Sequence, residues 1–422
     1  MKNRTQGALL RRLLDGLGVV LVVALLATGG SVRAAPEPPS DATALPPLPM
    51  NEQVLNLPGD PARPVTLQVT LFMPYGAGPF PLAVVNHGAA ADGHPRDEPR
   101  YRTTFSADYF LSRGYAVVLP MMRGFAGSGG KVVLHRCDLA ATGLDNARDI
   151  AAVIDAMAGQ PKIDTSRIVV AGQSFGGWNT LALGTLGHRG VKGLVNFSGG
   201  IREGDCRFSD QDASLADGAG IFGARTRVPS IWFYGDNDMI FPESTWRAMY
   251  ARYTAAGGGR AELVAYGNFM DDAHQLLSHA EGFPIWTPKV DAFLARIGLP
   301  ATPVYPGYMP TPLPPAAHYA DVQDAAAVPY LSDNGRAYYQ KFLDRPFTRA
   351  FAVAPNGFAA AANGGFDPIA MALGLCRQRA RDCQLYAVDN DVVWTRPGPR
   401  RCRTDRSLDP PPDRCSRNDR DG

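Results

Sequence analysis

What this sequence lacks narrows its chemistry. It has no basic excess: 42 Lys and Arg stand against 40 Asp and Glu, a formal charge of +2. A chain without surplus cation is poorly equipped to neutralise phosphate backbones, so no nucleic-acid partner is expected. It has no Cys-x-x-Cys spacing; its six cysteines are scattered over 422 residues, and neither a metal site nor a cofactor is expected. No internal repeat of 20–50 residues is visible, and the 45 glycines follow no Gly-X-Y period. Long apolar runs are missing too, except Leu17–Thr28, which at about a dozen residues is shorter than the ~20 that span a bilayer.

That run has a different meaning. Lys2, Arg4, Arg11 and Arg12 precede it, and Val32-Arg33-Ala34 follows with small or apolar residues where a signal peptidase needs them. Residues 1–34 therefore read as a signal peptide cut after Ala34. No cysteine follows the apolar run, so a lipoprotein anchor is not indicated. The expected product is periplasmic or secreted, with no stable membrane anchor after cleavage. Losing five basic residues and one acid turns the charge from +2 to −2. Such a compartment is oxidising, and disulfides become the default for the cysteines.

At 45% hydrophobic and 19% charged residues the remainder can build ordinary cores, and its length suits two or three domains. Residues 35–49 are Pro- and Ala-rich and read as a linker. Residues 50–300 alternate short apolar strands with amphipathic helices. Strands are expected at Val65–Phe72, Leu82–Val85, Tyr115–Leu119, Ile168–Ala171, Val191–Phe197, Ser230–Tyr234 and Ala261–Tyr266. Helices are expected at Phe105–Ser112, Leu144–Met157, Phe175–Leu186, Ser244–Thr254 and Pro288–Ile297. This is the pattern of an α/β fold, a doubly wound, mostly parallel sheet covered on both faces. Functional groups then belong on loops at the carboxyl ends of the strands.

Six prolines in 301–316 mark a boundary, and 301–317 reads as a second linker. Residues 318–394 read as a small α+β module of ββαβ type: a hairpin around Asn356-Gly357, a helix opened by Asp367-Pro368, and returning strands at Gln384–Val388 and Val392–Trp394. Residues 395–422 are charged and Pro-rich without periodicity and read as a disordered tail.

The chemistry centres on Gly172-Gln173-Ser174-Phe175-Gly176, placed between a strand and a helix. A serine on so sharp a turn projects its hydroxyl clear of the backbone, and Gly172 and Gly176 relieve the crowding. A serine hydroxyl needs a base, an acid to orient that base, and an oxyanion site. The acid should follow strand Ser230–Tyr234, where Gly235-Asp236-Asn237-Asp238 stands. Asp238 is preferred, because Gly235 permits a turn that swings it back; Asp236 is the second choice and suits a helix cap. A calcium loop from Asp-Asn-Asp lacks the later ligands. Of the later histidines, His274 lies just beyond the last strand, His279 reads as surface or packing, and His318 lies past the linker. The N–H of Phe175 with that of Ala89, or of neighbouring Gly88, would form the oxyanion site, and His87 would orient that loop. Trp178 and Trp232 read as core, Phe125 as pocket edge or packing, and 201–227 as part of a short lid.

These motifs, in this order, resemble the α/β-hydrolase superfamily over roughly residues 50–300. Those that carry the likeness are Leu82 to Gly88, Arg113 to Val118, Arg123 to Gly130, the Ser174 elbow, Gly235 to Pro242 and the His274 region. Within it they resemble the dienelactone hydrolase and prolyl-oligopeptidase-like branch. Two departures matter: the first group carries Cys at the elbow, and the second carries a propeller for which 35–50 leave no room. The resemblance thus implies a serine hydrolase acting on a small-molecule ester, with a peptide as the alternative substrate and a non-catalytic envelope-binding protein as the alternative class. Residues 349–394 resemble a small module of secreted bacterial proteins with no implied activity. Cys137 and Cys206 follow strands at the same end of the sheet and are expected to pair. Cys376 and Cys383 flank one helix end and are expected to close a short loop. Cys402 and Cys415 remain in the tail.

Overall fold

The computed structural model describes residues 50–396 apart from 90–93, 103–104, 205, 259, 310, 312, 346–348 and 364–367. The expected signal peptide, the linker at 35–49, the tail beyond 396, and Cys402 and Cys415 lie outside the described residues.

The larger sheet has eight strands: β1 (Gln53–Pro58), β2 (Thr66–Phe72), β3 (Phe80–Asn86), β4 (Ala116–Pro120), β5 (Ile163–Gln173), β6 (Val191–Phe197), β7 (Ser230–Tyr234) and β8 (Ala261–Ala265). Their spatial order is β1-β2-β4-β3-β5-β6-β7-β8. β1–β2 and β2–β4 pair antiparallel, and every later pairing is parallel. Between strands run α1 (Phe105–Ser112), α2 (Leu139–Met157), α3 (Phe175–Leu183), α4 (Phe208–Arg225), α5 (Glu243–Ala255) and α6 (Phe283–Arg296).

The central strands read as continuous apolar runs because both faces are covered. Side chains alternate between two cores. Leu82, Val84, Ile168 and Val170 join one with α2, α3, α4 and α5 through Ile150, Trp178, Phe222 and Trp246. Ala83, Val85, Val169 and Ala171 join the other with α1 and α6 through Phe110, Trp286 and Phe293. Trp178 and Trp232 are fully buried, as expected. The chain passes from β3 to β4 on one side and later to β5 on the other. The strand order therefore reverses around β3, which opens a crevice at the carboxyl ends of β3 and β5.

Several elements differ from expectation, among them α6, which starts at Phe283 rather than Pro288. β1 is an edge strand that pairs residue by residue with β2 and is mostly exposed, so apolar content did not reveal it. α2 starts at Leu139, ahead of Leu144, because the Asp138 side chain accepts the Ala141 N–H and caps it. The segment read as lid material is mainly α4, a crossover helix between β6 and β7. Leu215, Ala219 and Phe222, at helical spacing, are buried in the first core. Its many glycines obscured this and are needed: a Cβ on Gly218 would stand 2.8 Å from the Trp178 ring, and one on Gly223 would stand 2.1 Å from the Tyr253 carbonyl oxygen. No helix among the described residues is long and apolar enough to cross a membrane.

The Pro-rich stretch leaves the larger sheet tied down. Val304 and Tyr305 donate backbone N–H groups to the Ser112 carbonyl, and the Tyr75 N–H reaches the Tyr308 hydroxyl. It ends at the smaller sheet, where the Ala317 N–H meets the Val392 carbonyl. Here α7 (Asp333–Leu343), β9 (Arg349–Val353), β10 (Ala359–Asn363), α8 (Pro368–Arg377), β11 (Gln384–Val388) and β12 (Asp391–Val392) follow. The strands form an antiparallel sheet in the order β10-β9-β11-β12. Phe351 and Val353 face Tyr339 and Phe342 of α7, while Ala350 and Ala352 face Ile369, Ala372 and Cys376 of α8. The ββαβ expectation thus gains α7, started by its Ser332 cap, whose hydroxyl accepts the Gly335 N–H. Both sheets lie within one compact unit.

Candidate active site

Ser174 stands between β5 and α3 with φ 55° and ψ −122°, a conformation that costs a non-glycine residue strain. The neighbouring backbone is packed too closely for any side chain at the flanking glycines. A Cβ on Gly172 would lie 2.3 Å from the Gly176 carbonyl oxygen, and one on Gly176 would lie 2.2 Å from that of Asn86. The Asn86 amide donates to the Thr180 hydroxyl, which donates to the Gly176 carbonyl, so the end of β3 is tied to the first turns of α3. The elbow is thus held from both sides.

His274 sits in a short helical turn after β8, with its ring buried. Its Nδ1 lies 3.0 Å from Asp238 Oδ2 and 3.1 Å from Oδ1. The Asp238 side chain is fully buried, and Oδ1 also accepts the N–H groups of Ile240 and Phe241. One carboxylate therefore orients the imidazole and caps the turn leading to α5. Asp236 is exposed, and its described bond is from its own N–H to the Gly267 carbonyl. His279 packs on Phe269 with its ring 4.0 Å from Glu281, and His318 is exposed beyond the larger sheet.

Ser174, His274, Gly88, Ala89, His87 and Gln173 line one cleft of about 430 Å³. Phe175 contributes the first N–H of α3, which helix geometry leaves without an intrahelical acceptor. His87 uses both ring nitrogens: Nε2 accepts the Met122 N–H at 2.9 Å, so Nδ1 carries the proton and donates to the Gly88 carbonyl at 2.6 Å. Burial holds its pKa down to about 4 against the opposing pull of the Gly88 carbonyl. This neutral ring fixes the loop Asn86–Ala89 and packs against Phe125, itself buried rather than at the pocket mouth.

Several positioning groups escaped sequence reasoning. Gln173 Nε2 donates to the His274 carbonyl at 3.0 Å and so ties the elbow to the histidine turn. Asp272 Oδ1 accepts the N–H groups of Met239 and His274, and Asn237 bonds Phe269 and Met270. These bonds stitch the acid loop to the histidine loop. The Asp-Asn-Asp triplet was the available signal, and its middle residue is the staple. Arg202 stacks over Phe241, whose ring packs on His274. Both expected disulfides are present, Cys137–Cys206 and Cys376–Cys383.

Residues 63–218 match the family model described as X-Pro dipeptidyl-peptidase (S15 family). That stretch contains Asn86 to Ala89 and Ser174 and ends before Asp238 and His274. No curated protein matches the sequence. Among solved structures, an acylaminoacyl peptidase of Pyrococcus horikoshii aligns at 16% identity with a TM-score of 0.44, over 60% of this chain and 42% of its own. This chain thus spans less than half the length of that protein. An esterase of Pyrococcus furiosus aligns at 15% identity with a TM-score of 0.41, over 58% of this chain and 91% of its own. The strand order, the reversal around β3 and the elbow at β5 are those of the α/β-hydrolase fold, and residues 63–218 match the S15 family model.

Proposed function

We propose that the chain is an exported serine hydrolase that cleaves carboxylic esters through an acyl-enzyme on Ser174. The observation that carries this is geometric. A serine on a strained strand–helix turn shares one cleft with a histidine whose far nitrogen is held by a buried carboxylate. Serine is a weak nucleophile near neutrality, so His274 takes the Ser174 proton through Nε2 as Oγ attacks the ester carbonyl. The new C–O bond leaves an oxyanion, to which the N–H groups of Phe175 and Ala89 donate hydrogen bonds. Collapse breaks the bond to the alcohol, which receives the proton from His274. Water then repeats the sequence and frees the acid. Asp238 keeps the imidazole in the required tautomer and stabilises its charged form.

The family match favours a second reading, cleavage of dipeptides from peptide amino termini. Such a substrate brings a protonated amine into the cleft. The cleft instead presents Arg100 and Arg102 beside Glu98. Both arginines bind Glu52, at 2.8 Å and 2.6 Å. Burial pushes the Glu52 carboxyl up, but the hydrogen bonds from Arg102 and Arg100 outweigh it and hold it below its ordinary value. Glu52 and Glu98 balance the two guanidiniums, so the lining neither attracts nor repels an ammonium group, and no unbalanced acid stands among the described lining residues to hold a peptide amino terminus, which supports the ester reading. Short-chain nitrophenyl esters and X-Pro anilides assayed side by side test it. Turnover of esters with at least ~10-fold higher kcat/KM is expected; the reverse preference overturns the ester assignment while leaving the triad in place.

A further inference from the structure

The smaller sheet carries a surface that the hydrolase chemistry does not use. Helix α8 buries Ile369, Ala372 and Cys376 against the smaller sheet. Its other face, Met371, Gly374, Leu375 and Gln378, repeats at helical spacing. Met371 is 45% exposed and Leu375 41% exposed. A Cβ placed on Gly374 would meet nothing within 4 Å, so among the described residues nothing covers this face. Two large apolar side chains thus stand one turn apart on an open helix face, while Ile369 and Leu373 of the same helix pack toward the sheet.

Immediately beyond, the chain reads Arg377-Gln378-Arg379-Ala380-Arg381-Asp382 and is closed by the Cys376–Cys383 disulfide. Arg377, Arg379 and Arg381 are all exposed and line one cleft of about 530 Å³ with Asn356 and Gln378. No ion pair among the described residues engages any of the three. Elsewhere on this protein arginines are routinely committed: Arg63, Arg100, Arg102, Arg113 and Arg123 all hold carboxylates. The chain also leaves the smaller sheet at this edge. Trp394 Nε1 donates to Gln384 Oε1 at 3.0 Å, which sets the exit beside Cys383, and exposed Arg396 follows two residues on.

An apolar pair on an open helix face, continued through Gln378 into a disulfide-closed loop of unpaired guanidiniums, has the chemistry of a membrane-interface contact. We propose that the exposed face of α8 and the arginine loop 377–381 dock this protein peripherally on an anionic lipid surface. Met371 and Leu375 enter the boundary between headgroups and acyl chains, and the three arginines bind lipid phosphates in bidentate fashion. Docking is reversible, because two side chains bury far less apolar surface than an inserted helix. The partner follows from the pairing of features: a soluble polyanion would use the arginines and leave the apolar pair idle.

Flotation of the whole protein with vesicles tests this. One set contains about one third phosphatidylglycerol in phosphatidylcholine, the other phosphatidylcholine alone. Binding to the anionic set alone, weakening with salt, is expected. Arg377→Ser, Arg379→Ser and Arg381→Ser together should lower the partition coefficient by ~100-fold, near tenfold or less for each charge lost. Met371→Ser with Leu375→Ser should lower it by ~10-fold or more. Arg400→Ser, Arg401→Ser and Arg403→Ser, outside the described residues, should change it less than threefold. Circular dichroism and the intact Cys376–Cys383 peptide confirm that each variant is folded. Equal binding to both vesicle sets overturns the proposal, as does full binding by the triple arginine variant. Unchanged binding by the Met371 and Leu375 variant, with competition by millimolar inorganic phosphate, would reassign the loop to soluble phosphates and also overturn it.

Discussion

Two aspartates two residues apart meet different fates, and the difference is one of burial. Asp238 is enclosed against His274 and accepts two further N–H groups, whereas Asp236 faces solvent. Asp238→Asn should therefore cost ~10⁴-fold in kcat, because an amide can hold the wrong tautomer of the ring. Asp236→Asn should change kcat less than about threefold. Steady-state ester hydrolysis of the two variants checks this, and comparable losses would contradict it. His87 carries a prediction about stability. Its folded pKa, about 4, lies below the ordinary 6.5, so the unfolded chain takes up the proton first. Its contribution is complete above pH 6.5 and is lost as pH falls toward 4, on the order of 3 kcal/mol in all. Urea unfolding at pH 7 and pH 4.5 should show that loss, and His87→Gln should remove this share of the pH dependence. That Ser174, His274 and Asp238 converge was legible because a strand–turn–helix serine restricts where its partners can enter. Gln173, Asn237 and Asp272 were not, because their work is to bond backbone groups of loops whose paths the sequence does not draw.

Elements were legible where burial is two-sided and obscure where it is not. β3 and β5 stand out as apolar runs because both faces are covered. β1 is an edge strand and α4 is rich in Gly, Ala and Asp, so neither has the composition that announces its class. In α4 the small residues serve close packing: Gly143 of α2 and Gly218 of α4 both leave room for the Trp178 ring. The Cys137–Cys206 bridge joins the loop before α2 to the loop before α4 across 69 residues. Closing a loop of that length removes unfolded-state entropy worth about 4 kcal/mol in the chain-entropy account, against about 2.5 kcal/mol for the seven-residue separation of Cys376 and Cys383. Replacing the first pair by serines should therefore lower the unfolding free energy of the larger sheet more than replacing the second. Calorimetry on the two double variants measures it, and a larger loss from the second pair would contradict this ordering.

At the scale of the whole molecule the described residues form two sheets with separate cores, joined by a Pro-rich stretch bonded to both. The described groups assigned to the reaction come from the larger sheet, at the carboxyl ends of β3, β5, β7 and β8. The smaller sheet contributes none of them, and its exposed features are an apolar pair and unpaired arginines. The division is thus between chemistry on one sheet and surface contact on the other. The central claim is that Ser174 is the nucleophile, and a fluorophosphonate tests it most directly because it phosphonylates only an activated serine. Intact mass should show one adduct per chain, peptide mapping should place it on Ser174, and both Ser174→Ala and His274→Ala should abolish it. An adduct on another serine, or undiminished labelling of Ser174→Ala, would contradict the account.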